Sequence, residues 1–159
     1  LDIEVGSRAC DPGGEVHEAL VIADAFVASG VLVRTRGRGG RLLREEAAHS
    51  QGSDVITPLV VLQDRHSASA SELLAAALQD HKRARIVGER SYGKGTVQEV
   101  LGLPDGSVAT FTVARYFSPD DRRVDGAGVT PDVSVALDPI TPVAGESDAG
   151  LRAALAAFE

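Results

Sequence analysis

The stretch PLVVLQDRHSASASELLAAALQDHKRARIVGERSYGKG, Pro58 to Gly95, decides how the chain folds. Leu59 to Gln63 is an unbroken β-type run, as expected for a strand covered on both faces. SASELLAAALQDH then reads as a helix rich in Ala and Leu, with Leu74 and Leu78 four apart on one side. Arg85 to Glu89 is a second strand of buried character. Strand, helix and strand within about thirty residues make a βαβ crossover, and parallel strands require such a connection.

Upstream, LDIEVGSRACDPGG (Leu1 to Gly14) reads as a short strand and a Pro-Gly-Gly turn. From Glu15 the spacing of Val16, Leu20, Ala23 and Val27 predicts a helix that Gly30 stops, with a strand over Val31 to Thr35. RTRGRGGRLLR (Arg34 to Arg44) and EEAAHSQGSD (Glu45 to Asp54) are expected to be the least ordered part. Downstream, TVQEVLGL and VATFTVARYF flank a turn at Pro104 to Ser107 and alternate like a hairpin. VSVAL from Val133 suggests one more strand, and GLRAALAAFE a closing helix. The expected class is α/β, with a late antiparallel element.

At 159 residues the chain suffices for one core and is most simply one domain. With no Met or Trp and few aromatics, that core must come from Ala, Val and Leu. The net charge of −7 argues against nucleic acid as a partner, and the Arg-rich run is more simply a solvated loop. Cys10 is the only cysteine, which excludes an internal disulfide and a cysteine-based metal site. No apolar run reaches the roughly 20 residues that span a bilayer. The chain begins at Leu1 without a signal sequence, so a fragment or a processed product is expected.

Ser69 sits where the first strand of the crossover gives way to its helix. That is the carboxyl edge of a parallel sheet, the usual address of active sites, and also a helix amino terminus, which favours an anion. A serine attacking a carbonyl uses both features, with the neighbouring Ala70 amide placed to receive the oxyanion. The plain alternative is a helix cap, since Ser69 and Glu72 fit the S-x-x-E capping box. His81 lies at the far end of a helix about 18 Å long. His66 is on the turn, but nothing directs its ring at Ser69, and the G-x-S-x-G elbow motif is absent. Lys94 is the better partner, because its loop leaves the next parallel strand at the same sheet edge. A lysine acting as general base must be neutral, which calls for burial; Gly93 and Gly95 are expected to let the backbone fold around it while Tyr92 and Val97 exclude water. Such a Ser–Lys pair is a known variant of triad logic.

Gly88 to Lys94 also fits the opening of a phosphate-binding loop, G-x-x-x-x-G-K. That motif needs Ser or Thr next and then a helix, whereas Gly95 and the β-like TVQEV follow. Nucleotide binding is set aside on those grounds.

PLVVLQDRHSASASELL, GERSYGKGTVQ, DGSVATFTVARYFSP, GAGVTPDV and the upstream DPGG together resemble the catalytic core of the carboxyl-terminal processing peptidases, or tail-specific proteases. The resemblance spans Pro12 to Val135, and its two linked motifs place Ser69 and Lys94 25 residues apart. It implies a ClpP/crotonase-like layered α/β core with the βαβ crossover and late hairpin, residues 1–159 forming one serine peptidase core that lacks an upstream PDZ domain. It implies an endopeptidase that cleaves proteins near their carboxyl termini through an acyl-serine. Ser69 would be the nucleophile, Lys94 the general base, and Gln98 its orienting partner, since offsets of four return to one face of a strand. The oxyanion hole would be the Ala70 amide plus that of Gly13 or Gly14. No metal or cofactor is implied. Partners would be protein or peptide substrates, with an accessory PDZ domain or adaptor and self-association both compatible, and no nucleic acid. Bacterial members commonly work in the cell envelope or periplasm and plant relatives in the thylakoid lumen. The chain departs from the pattern at His66, where the family has glycine, and in an extra stretch between LDI and DPGG. Those departures motivate a rival reading, an inactive peptide-binding scaffold with the same fold.

Overall fold

The computed structural model describes residues 14–49, 53–137 and 148–158. Within them the crossover forms as its sequence pattern predicts. Strand β3 (Val60–Gln63) leads through helix α2 (Ala70–Asp80) into β4 (Arg85–Gly88), and the two strands pair in parallel from Val60 opposite Arg85 to Gln63 opposite Gly88. A short β7 (Val133–Ser134) adds in parallel on the other side of β4, giving the order β3-β4-β7. A second sheet is antiparallel, in the order β2-β1-β6-β5, from β1 (Val31–Arg36), β2 (Leu42–Ala47), β5 (Thr96–Gly102) and β6 (Val108–Phe117). Helices α1 (Val16–Phe26) and α3 (Ala149–Ala156) complete the described elements. The mixed α/β class, the crossover and the late hairpin are all present. The strand expected near the start, with Cys10 and Gly13, lies outside the described residues.

Helix α2 is the central pillar. Ala77 and Leu78 pack with Ala23, Val27 and Leu32; Ala75 and Ala76 pack with Ile86 and Val129; Leu73 packs with Val33 and Val124. One helix therefore contributes to all three buried clusters, and its alanines let neighbouring backbones approach. Close packing of this kind makes even small volume changes costly. The amino end of α2 is in consequence held rigidly relative to both sheets.

One expectation is overturned. Leu42–Ala47 form an edge strand, although this segment reads as disordered-looking loop. Nearly every residue of β2 is exposed, so it has no buried face to imprint a period-two pattern. Backbone pairing with β1, irregular at two points, and the Arg34–Glu45 ion pair at 2.9 Å define it instead. Charged side chains along it suit an edge. Arg36 likewise pairs with Asp121 at 2.8 Å, so the Arg-rich run is partly spent on the fold.

Candidate active site

The turn from β3 to α2 is built by Asp64. Its Oδ1 accepts from the backbone amides of His66 and Ser67, both at 2.8 Å, an arrangement typical of Asx turns. Ser69 follows with φ 60° and ψ −120°, and α2 begins at the next residue. A serine in that region costs on the order of 1–3 kcal/mol and persists only where its surroundings hold it. This is a sharp strand-to-helix turn that presents a hydroxyl, the architecture of a nucleophile elbow. It forms here without G-x-S-x-G, and the residues two positions away, Ser67 and Ser71, are themselves small. Ala70, the first residue of α2, is buried, and its amide has no acceptor among the described residues, as expected in a first helical turn.

Glu72 lies beneath this turn and is fully buried. Its Oε2 accepts from the Ser69 amide at 2.9 Å and from the Lys94 amide at 2.8 Å. Its Oε1 accepts from the Gly93 amide at 2.6 Å and from the Ser91 hydroxyl at 2.5 Å. One carboxylate thus joins the Ser69 turn to the Lys94 loop. A direct backbone bond reinforces the joint, with the Tyr92 amide donating to the Ser67 carbonyl at 2.9 Å. The amides that a phosphate-binding loop would offer to a nucleotide are here occupied by the chain's own Glu72, and the continuation is strand β5.

The two glycines beside Lys94 serve a different contact from the expected one. A Cβ on Gly95 would lie 2.5 Å from the Asp125 amide nitrogen, and one on Gly93 3.1 Å from that of Gly128. They let the loop press against residues 125–128, where the Gly126 amide donates to the Gly93 carbonyl at 2.9 Å. From behind, the buried Gln63 side chain donates to the carbonyls of Glu89 and Val129, both at 2.8 Å.

The side-chain half of the site is open. Ser69 is half-buried, but Lys94 is exposed and its ammonium has no partner among the described residues. Tyr92, expected to keep water away, is 69% exposed. The burial anticipated around the lysine is absent from the described residues. Gln98 is exposed on β5, while Lys94 precedes that strand, and a register shift falls between Val97 and Gln98. The extra residue at that shift is Val113 on β6, so β5 keeps its own alternation, while Lys94 lies outside it, before the first paired residue. Gly14 precedes α1 with open space where a side chain would stand, and Gly13 lies outside the described residues. His81 is structural, its Nε2 lying 2.7 Å from the Val31 carbonyl, and His66 is exposed.

Glu72 is the residue that sequence reasoning undervalued. The S-x-x-E spacing identifies it as a capping partner of Ser69, but not as the anchor of a loop twenty residues on. A cavity of about 330 Å³ also opens between α1 and the β1–β2 hairpin, with Val16, Leu20, His49 and Tyr116 in its wall. Burial raises the Tyr116 hydroxyl above its ordinary value of 10.0. None of the candidate catalytic residues lines it.

The sequence profile of peptidase family S41 matches residues 10–135. The carboxy-terminal-processing protease of Bartonella bacilliformis is 41% identical over 126 residues, covering 79% of this chain and 29% of that protein. The carboxyl-terminal-processing protease of Picosynechococcus is 38% identical over 147 residues, covering 91% of this chain and 35% of that protein. Among solved structures, a photosystem II D1 C-terminal processing protease superposes with a TM-score of 0.73 at 43% identity, over 78% of this chain and 32% of that one. The chain spans about a third of the length of these relatives.

Proposed function

Because this chain belongs to peptidase family S41, we propose that it is the serine peptidase core of a carboxyl-terminal processing enzyme, with Ser69 as nucleophile and Lys94 as general base. The observation that carries the reading is the strained Ser69 turn at the amino end of α2, tied through one carboxylate oxygen to the backbone of Lys94. In the proposed reaction Lys94 takes the Ser69 proton as Oγ bonds to the substrate carbonyl carbon. The free Ala70 amide stabilises the oxyanion, joined by the amide of Gly13 or Gly14. The lysine then returns the proton to the leaving amine, and water hydrolyses the acyl-serine by the same relay. Gln98, four residues on from Lys94, would orient the lysine by hydrogen bonding. Substrates would be proteins or peptides cut near their carboxyl ends, in a ClpP/crotonase-like layered core. A PDZ module, an adaptor or another copy of the chain would assist capture.

The open surroundings of Lys94 favour one rival, a dormant scaffold that binds peptides without cutting them. Serine-directed fluorophosphonate labelling separates the two. The expected result is a single adduct mapped by mass spectrometry to Ser69, formed far more slowly after Lys94→Ala. Labelling that is absent, or spread over several serines, would favour the scaffold.

A further inference from the structure

We infer that Glu72 is a positioning residue that couples the nucleophile turn to the lysine loop, an inference that rests on the proposed Ser–Lys reaction. Four donors converge on its two oxygens: the amides of Ser69, Gly93 and Lys94 and the hydroxyl of Ser91. That matches the acceptor capacity of a carboxylate. Glutamine has the same shape but only one accepting oxygen, and its NH₂ would face two donors. The variant must therefore release the Ser69–Lys94 pair or, since the Ser91 hydroxyl can turn to accept from the new NH₂, at least the Gly93 amide.

The pairing across the two oxygens gives the clamp its function. Oε2 holds the backbone of the two reacting residues together, while Oε1 secures the loop just before the lysine. Ser91 extends the clamp, since its Oγ also accepts from the Val129 amide at 2.7 Å. The 125–129 segment, the lysine loop and the nucleophile turn then move as one body. Lys94 itself has no side-chain partner among the described residues, so its approach to Ser69 depends on this backbone arrangement. Glu72 touches no reacting atom; it acts through the residues it holds.

The test compares fluorophosphonate labelling of the full chain with Lys94→Ala, Glu72→Gln and the double variant, all at temperatures well below unfolding. A misplacement of about 1 Å can cost on the order of 100-fold in rate, and a loss of about that size is expected for Glu72→Gln. In the double variant the losses should not multiply, because a lysine already released from register has nothing left to contribute. Multiplying losses, or a folded Glu72→Gln protein labelled at the wild-type rate, would overturn the inference. Should Glu72→Gln fail to fold, Ser91→Ala takes its place, with labelling about 10-fold slower on an intact fold expected for a displaced loop; an unchanged rate would count against the clamp. Should the wild type itself not label, the peptidase reading falls, and the clamp is judged separately by NMR. Loss of the carboxylate, or of its Ser91 contact where that variant is used, must shift the Ser69, Gly93 and Lys94 amide resonances together, and stationary resonances would refute it.

Discussion

Two ends of the same loop are treated in opposite ways. At Ser91–Lys94 the backbone is clamped by a buried carboxylate and closely approached by residues 125–128. Only a few residues on, β5 is largely exposed, with Val100 at 65% and Leu101 at 53%. The contrast teaches that the backbone of Ser69 and Lys94 is fixed, while among the described residues the lysine side chain and the strand beyond it are uncovered. Under the proposed reaction, a substrate laid across Tyr92 would have to supply the dry surroundings that strengthen electrostatic catalysis.

Ser69 offers the largest effect by which to break that contrast. Ser69→Gly removes the proposed nucleophile, so labelling and cleavage should vanish. If the turn stores strain, the same variant should gain stability, because glycine adopts φ 60° freely. Relief of about 1–3 kcal/mol against an entropic cost of roughly 0.5–1 kcal/mol leaves a net gain of about 1 kcal/mol, measurable by urea denaturation. Lys94→Ala comes next, with a rate loss of roughly 10²–10⁴ and a melting temperature unchanged, since the side chain is exposed and has no partner among the described residues. A large thermal shift would mean that Lys94 is part of the fold rather than free for chemistry.

A glycine pair sharpens the comparison at smaller amplitude. Gly95→Ala would drive a Cβ to 2.5 Å from the Asp125 backbone, and overpacking of this kind costs about 1–3 kcal/mol. Gly102→Ala, at the far end of β5, meets no atom within 4 Å and should be neutral or slightly stabilising. Equal effects at the two sites would contradict the division into a clamped and an open region.

The crossover was legible in the sequence because α2 and β4 bury apolar side chains and β3 carries an unbroken, half-buried apolar run, and such runs leave a pattern. β2 was not, because an exposed edge strand held by backbone bonds and ion pairs leaves none. Ser69 and Lys94 could be singled out from their places at the sheet edge. The elbow conformation of Ser69 could not, since a φ value depends on tertiary support rather than on S-A-S-A-S alone. Glu72 was half-visible: its local capping role follows from spacing, whereas its contacts with Ser91, Gly93 and Lys94 arise only once β4 returns beside β3. The Lys94–Gln98 pairing rests on strand alternation, and Lys94 lies before the first paired residue of β5, so it stays a proposal.

The smallest expected effect lies far from the cradle, in the loop before β3, and tests whether acid sensitivity belongs to the fold at large. Hydrogen bonds from Thr57, through its side chain and backbone, and from the Ile56 amide lower the Asp54 carboxyl from 3.8 to about 2, with the Arg83 charge adding a lesser pull. A carboxyl depressed in the folded state stabilises above its unfolded value and loses that contribution as pH falls toward the folded one. Asp54 should therefore contribute fully above about pH 5 and progressively less between about pH 4 and 2. Asp54→Asn should lower the melting temperature slightly at pH 7, and the gap from wild type should have narrowed markedly by pH 2. Asp54 is exposed, so screening keeps the effect small and salt-sensitive. A gap that persists undiminished at pH 2 would show that the asparagine perturbs the loop itself rather than removing a charge.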